Sequence, residues 1–166
     1  MKYKHVIWDW NGTLVDDTWL CVEIINKLLK KRNLKPVTID GYKEKFMFPV
    51  REYYIELGFN FEEEPFEVSG LEFINEFKKR LFDAALYSDT EFVLDKLSDQ
   101  GITHSILSAQ NQKMLDQSVN YYNLNDKFIG INGLDNHYAN SKVNLGELWI
   151  KSLNIDPHNV LMVGDT

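Results

Sequence analysis

The stretch His5-Val6-Ile7-Trp8-Asp9-Trp10-Asn11-Gly12-Thr13-Leu14 sets the frame for the whole chain. His5–Trp8 is a strand-like run, and a carboxylate, a tight Gly turn and a hydroxyl come directly after it. A strand that ends this way delivers Asp9 to the C-terminal edge of a sheet, where α/β folds bind and transform ligands.

C-terminal to this stretch, the apolar positions Val22, Ile25, Leu28 and Leu29 follow helical rhythm and predict a helix from about Asp17 to Arg32. Asp16 or Asp17 is its expected N-cap. Further helices are expected over Ile39–Met47, Val50–Leu57 and Glu64 or Pro65 to about Leu81, the last with Pro in its first turn. Four successive helices without a strand read as a separate lobe. After Tyr87 the pattern alternates. Helix 89–99 stops at Gly101, and strand Thr103–Leu107, helix Lys113–Tyr122, strand Phe128–Ile131, helix Lys142–Leu153 and strand Val160–Val163 succeed it. Such alternation implies a parallel sheet wound with helices, interrupted by the lobe after its first strand. The chain stops at Gly164-Asp165-Thr166, just past a strand with no covering helix, and is expected to be truncated there.

Composition narrows the function classes. With 166 residues, 44% hydrophobic and 13% aromatic, the chain builds one sizeable core and is not a disordered segment. A net charge of −7 without a basic cluster argues against nucleic acid as a partner. No apolar run approaches the roughly 18 residues of a membrane span, and Met1-Lys2-Tyr3-Lys4 leads into a strand without a small-residue cleavage site, so a cytoplasmic protein is expected. The single cysteine, Cys21, can make no internal disulfide and is expected in the core. The histidines, at 5, 104, 137 and 158, lack metal-ligand spacing and are read as structural or surface residues.

If the strands are parallel, Asp9, Ser108, Lys142 and Asp165 converge on one sheet edge. Each alone has an ordinary explanation: a turn Asp, a helix-capping Ser, a solvated Lys, a second turn Asp. Their order resembles the motifs of the haloacid dehalogenase (HAD) superfamily, and the helical stretch falls where its phosphoglycolate-phosphatase-like branch carries a small helical cap. The resemblance implies a Rossmann-like α/β core of residues 1–15 and 86–166 and a cap of residues 16–85.

It also implies a phosphohydrolase that uses Mg²⁺ on a small phosphorylated metabolite, and composition, as above, sets the expectation of no nucleic-acid and no membrane partner. Asp9 would attack phosphorus and form an aspartyl phosphate. Asp9, the main-chain carbonyl of Asn11 and the Asp165 carboxylate would hold the metal. Ser108, Ala109 and nearby N–H groups would bind phosphate oxygens, Thr13 would add to that cradle, and Lys142 would offset the charge shared by phosphate and nucleophile.

Three departures from the family pattern bear on activity. Asn11 stands where the family has an acid/base Asp. It offers the same carbonyl but cannot exchange a proton, and such assistance is worth about 10²–10⁴ in rate. No acidic residue follows Gly164-Asp165 to steady the metal, and Lys142 lacks the Pro often found after it. The expectation is a slow phosphatase, or one suited to good leaving groups. The alternative is a weakly catalytic phosphate- or ligand-binding protein on the same scaffold. A phosphomutase is a lesser third reading, and the phosphate-site residues argue against dehalogenation. Arg51, flanked by Phe46, Phe48, Tyr53 and Tyr54 near Pro49, is the expected cap contact to an anionic or sugar-like group.

Overall fold

The computed structural model describes residues 2–134 and 142–165; His137 and Thr166 lie outside the described residues. Four parallel strands, β1 (His5–Trp8), β4 (Thr103–Asn111), β5 (Ile131–Leu134) and β6 (Val160–Val163), form one sheet in the order β5-β4-β1-β6. β1 is central, and all four of its residues are buried, as a strand covered on both faces requires. Its register sets Trp8 opposite Ile106 of β4 and Val163 of β6. Helices α5 (Thr90–Ser98), α6 (Gln112–Tyr121) and α7 (Val143–Ser152) connect the strands. Val6, Trp8, Trp10, Leu94, Ile106 and Leu115 belong to the main core. β5 and β6 are the outer strands among the described residues, and Met162 on β6 is 50% exposed.

Buried ring nitrogens organise this core. Trp8 Nε1 donates to His104 Nδ1 at 3.2 Å, which leaves His104 Nε2 to donate to the carbonyl of Leu94 at 3.2 Å. That pairing is the neutral tautomer, and burial accordingly holds the His104 pKa below its usual value. His5 is fully buried against the hydroxyls of Thr103 and Ser105. Both residues are structural, as expected.

Between β1 and α5 the chain makes a two-strand ribbon and four helices. β2 (Val15–Asp16) pairs antiparallel with β3 (Ala85–Leu86), strands too short to show in the sequence. α1 (Thr18–Lys31), α2 (Ile39–Lys45), α3 (Val50–Glu56) and α4 (Phe66–Lys79) lie between these strands. The α1 residues Leu20, Ile24, Ile25 and Leu28 recur at helical spacing and pack with Tyr53, Tyr54 and Phe77 in a second core, which also includes Met114 of α6. Each such burial stabilises by roughly 1.5–3 kcal/mol. Arg32, set over the Phe59 ring, ties α1 to Glu64 and to Glu72 of α4.

Three expectations need correction. β5 runs Ile131–Leu134, later than the expected Phe128–Ile131, because Phe128 is spent on core burial at the end of a short 3-10 turn. Cys21 is only partly buried and borders a cavity. Asp17 occupies the N-cap position of α1, yet its side chain makes no capping bond.

Candidate active site

The site grows from the loop at the end of β1. Asp9 N–H donates to the Val163 carbonyl at 2.8 Å, so the β1–β6 ladder extends to the carboxylate itself. Asp9 is 6% exposed. Its Oδ1 accepts from the Trp10 N–H at 2.8 Å, and its Oδ2 accepts from Lys142 Nζ. Lys142 precedes the first residue of α7, so two residues 133 positions apart form a largely buried ion pair at the sheet edge. An ion pair this sheltered from water orients its carboxylate far more firmly than a surface pair would.

Gly12 explains how the loop turns. Its φ is +71°, a conformation that favours glycine. A Cβ at this position would stand 2.8 Å from Cγ of Asp165 and closer still to its Oδ2, so the Asp165 carboxyl lies directly on the Gly12 backbone. Partial desolvation, with the Asp9 charge second, holds the Asp165 carboxyl above the usual carboxylate range. The two carboxylates, next to a backbone turn, form a hard-oxygen set suited to a divalent cation. Mg²⁺ commonly takes one or two carboxylates and completes its shell with waters and phosphate oxygens. Among the described residues there is no group of three or more His, Cys, Asp and Glu side chains arranged for a metal. Carboxylate oxygens of this kind fit Mg²⁺ and not a thiolate- or imidazole-loving ion.

Ser108, Asn11 and Asp17 form a relay. The Ser108 hydroxyl donates to Asn11 Oδ1 at 3.4 Å and accepts from the Gln110 N–H at 3.1 Å. The Asn11 amide donates to Asp17 Oδ2, and the Gly12 N–H donates to Asp17 Oδ1 at 2.9 Å. Asp17 is 2% exposed. Burial lifts its pKa to about 6, against the opposing pull of the bonds from Asn11 and Gly12. The Thr13 hydroxyl is buried without a hydrogen-bond partner. Ser108 is on β4 rather than after it, because that strand runs on to Asn111.

Asp9, Asn11, Gly12, Ser108, Ala109 and Asp165 line the floor of a cavity of about 370 Å³, whose other walls come largely from α1–α4. Its size is that of a small-ligand site. The structure thus brings together Asp9, Asn11, Ser108, Ala109, Lys142 and Asp165. Arg51 does not join them. It is half exposed, pairs with Glu52 at 3.4 Å and stacks over the Phe61 ring at 5.2 Å, because α3 turns its Tyr53 and Tyr54 inward instead.

Gln110 and Lys43 also line the cavity without a signal in the sequence; Tyr53, expected there only as a neighbour of Arg51, and Asp17, which with Asp16 is a remote candidate in the sequence for the missing acid/base, line it as well. Asp17 carries one signal, an acidic residue six positions beyond Asn11, but the same signal describes a helix cap. Cys21 lines the cavity too, and burial pushes its thiol well above its usual pKa, so it is a neutral wall group.

The fold recurs in solved structures of low sequence identity. A haloacid dehalogenase-like family hydrolase from Streptococcus pneumoniae superposes with a TM-score of 0.82 at 14% identity, over 99% of this chain and 77% of that one. A predicted phosphoglycolate phosphatase from Haemophilus somnus gives 0.77 at 16% identity, over 99% and 77%. CbbY from Rhodobacter sphaeroides, solved in complex with phosphate, gives 0.70 at 13% identity, over 96% and 76%. Curated proteins provide no significant match. Among the described residues, no helix is long and apolar enough to cross a membrane. The family model for haloacid dehalogenase-like hydrolases matches residues 6–166, and with Asp9, Ser108, Lys142 and Asp165 gathered at one sheet edge, the chain belongs to that family.

Proposed function

We propose that the protein is a Mg²⁺-dependent phosphohydrolase that cleaves a small phosphomonoester through an aspartyl phosphate on Asp9. The observation that carries this reading is the ion pair between Asp9 and Lys142, next to Asp165 packed on the Gly12 turn. Phosphoryl transfer needs positioning and charge neutralisation more than covalent help, and this arrangement supplies both.

Asp9 Oδ attacks phosphorus, the bond from phosphorus to the ester oxygen breaks, and the leaving oxygen departs with the electron pair. Water then attacks the same phosphorus, which releases inorganic phosphate and restores Asp9. Lys142 offsets negative charge on Asp9 and on the phosphoryl oxygens. Ser108, the neighbouring main chain at Ala109 and the unpartnered Thr13 hydroxyl bind those oxygens. The Asp9 and Asp165 carboxylates and the Asn11 carbonyl would hold Mg²⁺. When bound, the ion would draw charge from the transferring group. The helices α1–α4 act as a cap that keeps water from the cavity.

Asn11 supports a second reading. Its amide is committed to Asp17 and Ser108 and cannot deliver a proton, which favours a ligand-binding protein of faded activity. Acetyl phosphate separates the two, because its leaving group needs no acid. Turnover that requires both Mg²⁺ and Asp9, absent in Asp9→Asn, supports the hydrolase. Phosphate-dependent thermal stabilisation without any turnover would leave the binding protein.

A further inference from the structure

The walls of the cavity differ from its floor. Above the carboxylates stand Tyr42, Phe46, Phe48, Phe66, Phe73 and Phe77, and Lys43 is the one cation among the described lining residues. The rings are packed against one another. Phe46 stacks on Tyr42 at 5.1 Å and meets Phe48 and Tyr53 edge-on at 5.3 Å. Polar groups are few beside these rings: Lys43, the Tyr53 hydroxyl and the Gln110 amide line the cavity, and Arg51 faces elsewhere. A ring wall instead favours a flat apolar group, held by offset and edge-to-face contacts.

The floor makes an independent demand. Asn11 cannot protonate the departing oxygen, and Asp17 next to it is engaged through both oxygens, by the Asn11 amide and the Gly12 N–H, so cleavage is efficient only where that oxygen is a stable anion unaided. A phenolate meets that demand and an ordinary alkoxide does not. We propose, resting on the phosphohydrolase reading, that the substrate is an aryl phosphomonoester, with its ring against the aromatic wall and its phosphate on Asp9. The bond from Asp9 to phosphorus forms as the aryl oxygen–phosphorus bond breaks. The phenolate leaves with the electron pair and takes its proton from solvent.

Two further side chains specify the ring. The Tyr53 hydroxyl and the Gln110 amide are buried without partners, although both residues line the cavity. Buried polar groups left unpaired are costly, so these two are set to meet a polar substituent on the ring.

The test compares phenyl phosphate, benzyl phosphate and glycerol 3-phosphate, with acetyl phosphate as the check on chemistry. Benzyl and glycerol esters both leave as alkoxides, so they isolate recognition by the wall. Phenyl against benzyl isolates the missing acid. The expected result is a KM for benzyl phosphate lower than that for glycerol 3-phosphate by about 10–200-fold. The kcat for phenyl phosphate should exceed that for benzyl phosphate. Phe46→Ala should raise the KM for phenyl phosphate by a larger factor than that for acetyl phosphate. If acetyl phosphate is turned over through Asp9 but benzyl phosphate binds no better than glycerol 3-phosphate, the substrate class is wrong and the phosphohydrolase stands. If acetyl phosphate is not turned over, the phosphohydrolase reading fails. Binding then decides on the wall: a larger thermal shift with benzylphosphonate than with methylphosphonate supports aromatic recognition, and equal shifts overturn it.

Discussion

Asn11 and Asp17 are bonded side chain to side chain, and the carboxylate of the pair also holds the Gly12 N–H at 2.9 Å. A carboxylate six positions from the expected one has thus been built into the same loop. The arrangement explains why the amide suits position 11: an Asp there would set a second carboxylate against the buried Asp17.

Asn11→Asp alone should therefore destabilise the protein, by about 1–3 kcal/mol, the scale of a lost buried hydrogen bond. The double variant Asn11→Asp with Asp17→Asn keeps one donor and one acceptor in place and should regain most of that loss. If the proposed chemistry holds, it should also raise turnover of alkyl phosphates by about 10²-fold or more. Urea unfolding and steady-state assays on the wild type, both single variants and the double variant check both parts. Equal stability of Asn11→Asp and the double variant would refute this account of the pair.

Asp9→Asn should abolish turnover of acetyl phosphate, and Lys142→Met should lower kcat by about 10²–10³-fold, the range for removal of one charge-stabilising donor. Chelation with EDTA should stop the wild-type reaction and added Mg²⁺ restore it. Asp165→Asn should raise the Mg²⁺ concentration needed for half activity. Indifference to EDTA would remove the metal from the proposal.

Gly12→Ala meets two obstacles at once, the positive φ of +71° and the Asp165 carboxyl in the path of the new carbon. The expected cost is about 1–3 kcal/mol for the backbone conformation, together with displacement of Asp165. Tm should fall further than with a neutral surface substitution, and Mg²⁺-dependent activity should fall as well. An Ala variant with normal activity and stability would show that the turn is not needed.

His5 makes stability depend on pH. Burial, with His104 second, lowers its pKa from 6.5 to about 4. The unfolded chain takes up this proton near 6.5 and the folded protein refuses it until about 4. The stabilisation is thus full above 6.5 and is lost as pH falls through that window, up to about 3 kcal/mol. Asp17 works in the opposite direction, since its folded pKa of about 6 lies above the usual 3.8 and favours folding as pH falls. The informative quantity is therefore the difference between wild type and His5→Gln. Urea midpoints at pH 7.5 and pH 5 should show a larger drop for the wild type, and parallel curves would rule His5 out.

Periodicity and punctuation make much of this architecture readable. The apolar rhythm predicts α1 over 17–32 against the observed Thr18–Lys31, and β6 falls at Val160–Val163 as expected, because both have strong apolar patterns with clear ends. β2 and β3 are invisible in the sequence, since two residues cannot display an alternation. β5 is expected too early because Phe128-Ile129 is more apolar than Ile131-Asn132-Gly133-Leu134. At the site, Asp9 and Asp165 follow from strand ends in a parallel sheet, and the sequence ties Ser108 to the right strand although that strand runs on to Asn111. Asp17 is legible only as an acidic residue before a helix, and which way its carboxylate turns is decided by partners in the loop. Arg51 misleads because a cationic residue among aromatics can face either side of a short helix.

The ribbon of Val15–Asp16 with Ala85–Leu86 is the place where the chain both leaves the sheet for the helices and returns. Asp17 comes directly after it and α1 starts at the next residue. Any change in how the helices leave this ribbon would reach the Asp17 carboxylate, and through it the Asn11 amide and the Gly12 N–H. One residue thus joins the ribbon to the site loop, and nothing intervenes in the chain between the path of the helices and the contacts that Asn11 and Gly12 make.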